Sequence, residues 1–143
     1  MPENWARDVL AEVARVEAHD PHWGVLGCIG VTIRDGAKFW VGNVYDRCRQ
    51  LGETENLPGV VDSLDELVLI CRKEDAVFDA FMPNHHLFGT EICLRMRRAG
   101  RKCYAINAYC HHNSSTNWLD ADFAVSAGYL YGKYPEVLPI AST

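Results

Sequence analysis

The sequence predicts an α/β domain in which a mixed sheet is flanked by helices. Three observations carry this. Apolar residues recur at helical spacing near the N-terminus, over residues 90–99 and beyond residue 118. Short β-branched runs lie between them, from Trp23 to Ile33, Lys38 to Tyr45, Leu67 to Cys71 and Cys103 to Cys110. The 143 residues suffice for one core, since a chain of this length buries roughly 70% of its unfolded surface.

Residues 3–18 read as an amphipathic helix, with Trp5, Val9, Val13 and Val16 three or four apart and Leu10 beside them. His19-Asp20-Pro21 ends it, because a residue before proline avoids the helical region. Trp23 to Ile33 reads as a buried strand with a close-packed turn. Its Gly24, Gly27 and Gly30 do not match a dinucleotide fingerprint, and no helix pattern follows, so they mark close backbone approach. Asp35-Gly36 is a hairpin turn, and Lys38 to Tyr45 is the return strand. Residues 46–59 are polar, with Gly52, Pro58 and Gly59, and read as a loop. Leu67 to Cys71 is the next strand, and 78–83 an irregular link. Residues 90–99 form a helix capped by Thr90, with Ile92, Met96 and Ala99 as its buried stripe and Gly100 as its left-handed stop. Cys103 to Cys110 reads as a strand and 118–131 as a final helix.

Fourteen Lys+Arg against nineteen Asp+Glu leave a net charge of −5, which argues against a binder of nucleic-acid backbone. No apolar run approaches the ~20 residues of a transmembrane helix, and Met1 to Asp8 shows no signal-peptide pattern. No two of the six cysteines form a CxxC pair, so they read as reduced thiols of a cytoplasmic protein.

Two stretches carry chemistry. His85-His86 precede Glu91, which sits in the first turn of the predicted 90–99 helix, where a carboxylate is stabilised. Cys110-His111-His112 end a strand, offering zinc-type donors. A helix start and a strand end can share one sheet edge only if the topology permits. The plain alternative for Glu91 is a surface ion pair with Arg95, four residues on. Asp120-Ala121-Asp122 spells D-x-D, but at a helix start it reads as N-terminal acidity.

Several of these pieces, in this order, resemble the C-terminal, acceptor-side half of a family 2-like (GT-A) glycosyltransferase. They are Trp23-Gly24-Val25-Leu26-Gly27-Cys28-Ile29-Gly30, Val61-Asp62-Ser63-Leu64-Asp65-Glu66 with Ile70-Cys71-Arg72-Lys73, and Phe78-Asp79. His86 through Arg95 with Ala99-Gly100, then Tyr104-Ala105-Ile106 through Ser114, complete the set. The resemblance covers about two thirds of the chain, and nothing before Trp23 matches the nucleotide-binding half. It implies a single, partial domain over 1–143.

What the resemblance implies is inverting transfer of a sugar from a nucleotide-sugar donor to an acceptor glycan or other hydroxyl. Glu91 would be the general base. Asp62, Asp65, Glu66, His86 and Arg95 would contact substrate. His111 and His112 would contact a divalent cation, Mn or Mg, that neutralises the leaving diphosphate. Two other readings are a non-catalytic carbohydrate-binding or interaction module, with Trp23, Trp40, Tyr45 and Trp118 as candidate stacking rings, and a histidine-based metal-dependent hydrolase. An exposed sheet edge would favour a homodimer.

Overall fold

The structure, a computed structural model, describes residues 2–114 and 119–143. Helix α1 (Trp5–His19) buries Val9 and Val16, and Trp5 and Val13 lie half-buried on the same stripe. The Trp5 indole donates to the Tyr109 carbonyl at 2.7 Å, tying the helix to a distant loop. Leu10, one step off the stripe, stays exposed.

Residues 23–33 form two strands where the sequence suggests one. β1 (Val25–Gly27) and β2 (Ile29–Arg34) part at Cys28 and enter different sheets. The glycines do what close approach demands. A Cβ on Gly30 would lie 2.4 Å from the Ser63 carbonyl oxygen, and one on Gly24 2.6 Å from Met96 Cβ. β2 turns through Asp35 and Gly36 into β3 (Ala37–Gly42); both turn residues have positive φ, as a tight two-residue hairpin requires.

The stretch read as a loop after residue 45 holds a second hairpin. β4 (Val44–Asp46) pairs antiparallel with β5 (Arg49–Leu51) across only Arg47 and Cys48. Both turn residues are left-handed, at φ 48° and 63°. Neither is the Asn or Gly that usually marks such a turn, so no local signal announces it.

Three sheets result. The first runs β6 (Gly59–Val61), β9 (Cys103–Ala105), β1, β8 (Leu69–Cys71), and only β1 and β9 are parallel. The second runs β10 (Cys110–His112), β4, β5, with β10 and β4 parallel. The third runs β3, β2, β7 (Ser63–Leu64). The predicted strand over 103–110 is thus β9 and β10, split because they serve different sheets. The mixed α/β class holds.

Helix α2 (Phe88–Arg98) packs Ile92 and Met96 against Val25, Leu64 and Cys103. Its start differs from expectation. Thr90 lies inside the first turn and is buried, its hydroxyl bonded to Ser63 Oγ at 2.8 Å. The capping position is Leu87, which carries no polar side chain and sits at φ 65°. Instead, the Glu66 carboxylate accepts from the Gly89 N–H at 3.2 Å, satisfying one orphan donor of the helix. Ala99 is exposed rather than on the stripe, and Gly100, at φ 75°, supplies the stop.

Helix α3 (Ala121–Lys133) is capped by Asp120, whose carboxylate accepts from the Phe123 N–H at 2.9 Å, so the D-x-D is helix-start acidity. α3 packs Leu130 and the following Tyr134 onto Leu87 and Leu94 of the α2 region. Trp118 lies outside the described residues. None of the described helices is long and apolar enough to cross a membrane.

Candidate functional site

Two adjoining cavities, of about 680 and 480 Å³, share Asp65, Leu67, His112, Leu119 and Thr143 and form one groove. Each polar wall has a local cause. The 65–67 segment turns because the Asp65 carboxylate accepts from the Leu67 N–H at 2.9 Å, while the Asp65 N–H donates to Ile29 O at 3.0 Å. That turn leaves Glu66 reaching toward the start of α2. Burial pushes the Glu66 carboxyl above its ordinary range, and the neighbouring Asp65 charge adds to the rise.

The α2 start brings His86 to the same groove. Its ring packs on His85 at 4.3 Å between centroids and on Phe123 at 6.0 Å. His86 Nε2 comes within 3.2 Å of Asp120 Oδ1 without hydrogen-bond alignment. β10 delivers His112 from the other side. The start of α2 and the end of β10 therefore line one groove, although β10 belongs to a different sheet from the strands under α2.

The far end of the groove lies under the β4–β5 hairpin, where Asp46, Arg47, Arg49, Gln50 and Ser114 meet Trp40 and Leu51. Asp46 is 7% exposed and accepts from the Ser114 N–H at 3.2 Å and its hydroxyl at 2.6 Å. The Ser114 hydroxyl, with His112 and Arg47 further off, holds the Asp46 carboxyl below the usual carboxylate range. Sequence reasoning missed Asp46, Arg47, Arg49 and Ser114. The signal available was an alternation of residues on either side of Arg47-Cys48, hidden by the polar composition of the stretch.

Glu91 stands elsewhere. It is 1% exposed, so it is no surface residue, and Arg95 Nε lies 3.7 Å from its Oε2. Its Oε1 accepts from Lys133 Nζ at 2.8 Å and the Tyr134 hydroxyl at 2.7 Å. Lys133 also donates to Asp79 at 2.7 Å, and Tyr129 donates to the same carboxylate at 2.6 Å. Glu91 edges a separate cavity of about 270 Å³, with Phe78, Asp79, Met82, Asn84, His85 and Phe88. Arg95 donates to the Val77 carbonyl at 2.7 Å and so secures the 73–77 segment. Asp62 lies away from the groove, accepting from the Ile33 N–H at 2.9 Å and pairing with Arg97 at 3.1 Å. Trp23 is buried under Arg72, whose guanidinium lies 4.3 Å from its ring centroid, while Trp40 borders the groove.

The histidine pair on β10 splits. Adjacent strand residues face opposite ways. His111 is exposed against Tyr45, at 5.4 Å between ring centroids, whereas His112 Nδ1 lies 3.9 Å from Asp46 Oδ1. Among the described residues, no three His, Cys, Asp or Glu side chains come together to hold a metal ion.

The fold and groove together define a mixed α/β domain with a cleft lined by carboxylates, histidines and arginines. No family model matches the chain. Over 112 residues it is 30% identical to a protein of Fuscovulum blasticum named "ATP synthase subunits region ORF 6". The alignment takes in 73% of this chain and 44% of that relative, so the chain spans less than half of the relative's length. That relative bears no glycosyltransferase name. With this finding, and with no metal-holding group among the described residues, the description as a metal-dependent glycosyltransferase of nucleotide-sugars and carbohydrate is corrected.

Proposed function

We propose that the domain binds a small hydroxyl-bearing molecule in the groove and moves a proton at that hydroxyl, between Asp65, Glu66 and His86. The observation that supports this is the adjacent carboxylate pair in one cleft. Glu66 is desolvated and raised, while Asp65 is fixed by the Leu67 N–H. A desolvated carboxyl beside a second carboxylate is an arrangement suited to general acid–base work. His86 and His112 flank the pair within the same cavity.

The backbone reports on this site directly, because the Gly89 and Leu67 N–H groups donate to the two carboxylates. Titration of 15N-labelled protein with glycerol or myo-inositol is expected to shift those two amides first. The shift should weaken in Glu66→Gln, which keeps the acceptor to Gly89 but loses the titrating group. Shifts confined to residues 78–88, around the other cavity, would overturn the reading.

A further inference from the structure

The groove is electrically lopsided. Glu66 borders only the smaller cavity and Arg47 and Arg49 only the larger; Asp65 borders both, and Asp46, at the arginine end, is buried and bonded to Ser114. The apolar side chains of Ile29, Val44 and Leu51 lie along the arginine-bearing cavity. Building on the reading above, we infer that the arginine end binds the anionic end of the ligand, a carboxylate or phosphate ester whose hydroxyl end lies at Asp65 and Glu66.

Arg49 carries the inference. It is exposed and makes no ion pair with any described residue. Its partner across the β4–β5 ladder is Asp46, the acid best placed to neutralise it. Yet the Asp46 carboxylate is buried and already engaged by Ser114. The guanidinium fork of Arg49 is therefore left to meet an anion in the cavity, which is the recognition its planar donors suit best. Arg47 stands at the same end, anchored through Nε to Ser114 Oγ at 2.9 Å. The tight two-residue turn between them, Arg47 and Cys48 at φ 48° and 63°, holds the backbone of both arginines at this end.

The opposite end fixes the orientation. An anion beside Asp65 and Glu66 would meet two like charges, whereas a hydroxyl donor there finds two acceptors. A cavity of about 680 Å³ falls in the range used by small-molecule ligands. The chain as a whole is acidic, at −5, so a local arginine pair stands against the net charge rather than following it.

Calorimetric titration at low salt with glycerol 3-phosphate, glycerate, glycerol and inorganic phosphate tests this. Both two-ended anions are expected to bind at least ~10-fold more tightly than glycerol or inorganic phosphate. Whichever of the two binds better identifies phosphate or carboxylate as the preferred head. Arg49→Gln should cost about 10-fold, roughly the value of one charge-assisted contact. Arg49→Lys should fall between, with the melting temperature unchanged in both. Equal binding of glycerol, equal binding of inorganic phosphate, no response to Arg49→Gln, or no binding of either anion at about 10 mM would each overturn the inference. The two readings fail separately. If Arg49→Gln has no effect but the Gly89 and Leu67 amides still shift with glycerol, the anion end alone is wrong. If the anions bind through Arg49 and neither amide moves, the proton-transfer reading is wrong.

Discussion

Lys133 Nζ lies 2.8 Å from Glu91 Oε1, joining the last turn of α3 to the first turn of α2 through a carboxylate that is 1% exposed. The contact closes a network in which Lys133 also holds Asp79 and Tyr134 also donates to Glu91. Burial of the lysine opposes its charge, but the two carboxylates outweigh that and push its pKa upward. Removing Lys133 would leave Glu91 buried without its main counter-charge. Lys133→Met is expected to lower stability by about 3 kcal/mol, as for other broken buried pairs. Tyr134→Phe, which removes one hydrogen bond, should cost about 1–2 kcal/mol. Urea unfolding of both variants checks the order.

Asp79 gives the network its acid sensitivity. Its carboxyl is depressed from 3.8 to about 2, chiefly by the Lys133 hydrogen bond and then by Tyr129. A depressed folded-state pKa means that the stabilisation is complete above the unfolded value near 3.8. It is lost as pH falls through the folded value near 2. The wild type should therefore lose stability between pH 4 and 2 more steeply than Asp79→Asn, as read from urea midpoints across that range.

Glu66 should behave in the opposite sense. Its folded-state pKa is raised by burial, so the charged form weakens the fold above that pKa, and stability is gained as pH falls toward the unfolded value. Glu66→Gln keeps an acceptor for the Gly89 N–H. That variant should equal or exceed the wild type in stability at pH 7, and the difference should vanish near pH 4. Thermal unfolding at the two pH values measures it.

The β4–β5 turn is paid for locally. Cys48 is exposed and held at φ 63°, a region that disfavours a Cβ. Cys48→Gly should stabilise the protein by about 0.5–1 kcal/mol, the relief of the left-handed strain less the greater freedom of glycine when unfolded. Chemical denaturation in reducing buffer provides the number.

Gly30 is the counter-case, where space rather than conformation decides. A Cβ there would stand 2.4 Å from the Ser63 carbonyl oxygen and 3.0 Å from Val61 Cγ2. Gly30→Ala should destabilise by about 1–3 kcal/mol, as overpacked cores do, and should separate β7 from β2. Loss of amide protection at Ser63 and Leu64 in hydrogen exchange would show where the strain falls.

The amino-acid sequence alone determined the class of fold, the three helices and the close approaches of Gly24 and Gly30. It did so because helical periodicity and glycine placement are local properties, written within a few residues of where they act. It also marked His86, His112, Asp65 and Glu66, whose residue types signal chemistry wherever they stand. Only tertiary structure decided which of them meet. Residues 65, 86 and 112 share a groove because the 65–67 turn packs on the start of α2 and β10 joins β4 in parallel. Glu91, the most prominent candidate in the sequence, is sealed by Lys133 and Tyr134, 42 and 43 residues away. The arginine end of the groove was hidden for the same reason. A two-residue turn without glycine leaves no local trace, and the value of Arg49 depends on Asp46 being turned toward Ser114, 68 residues along the chain.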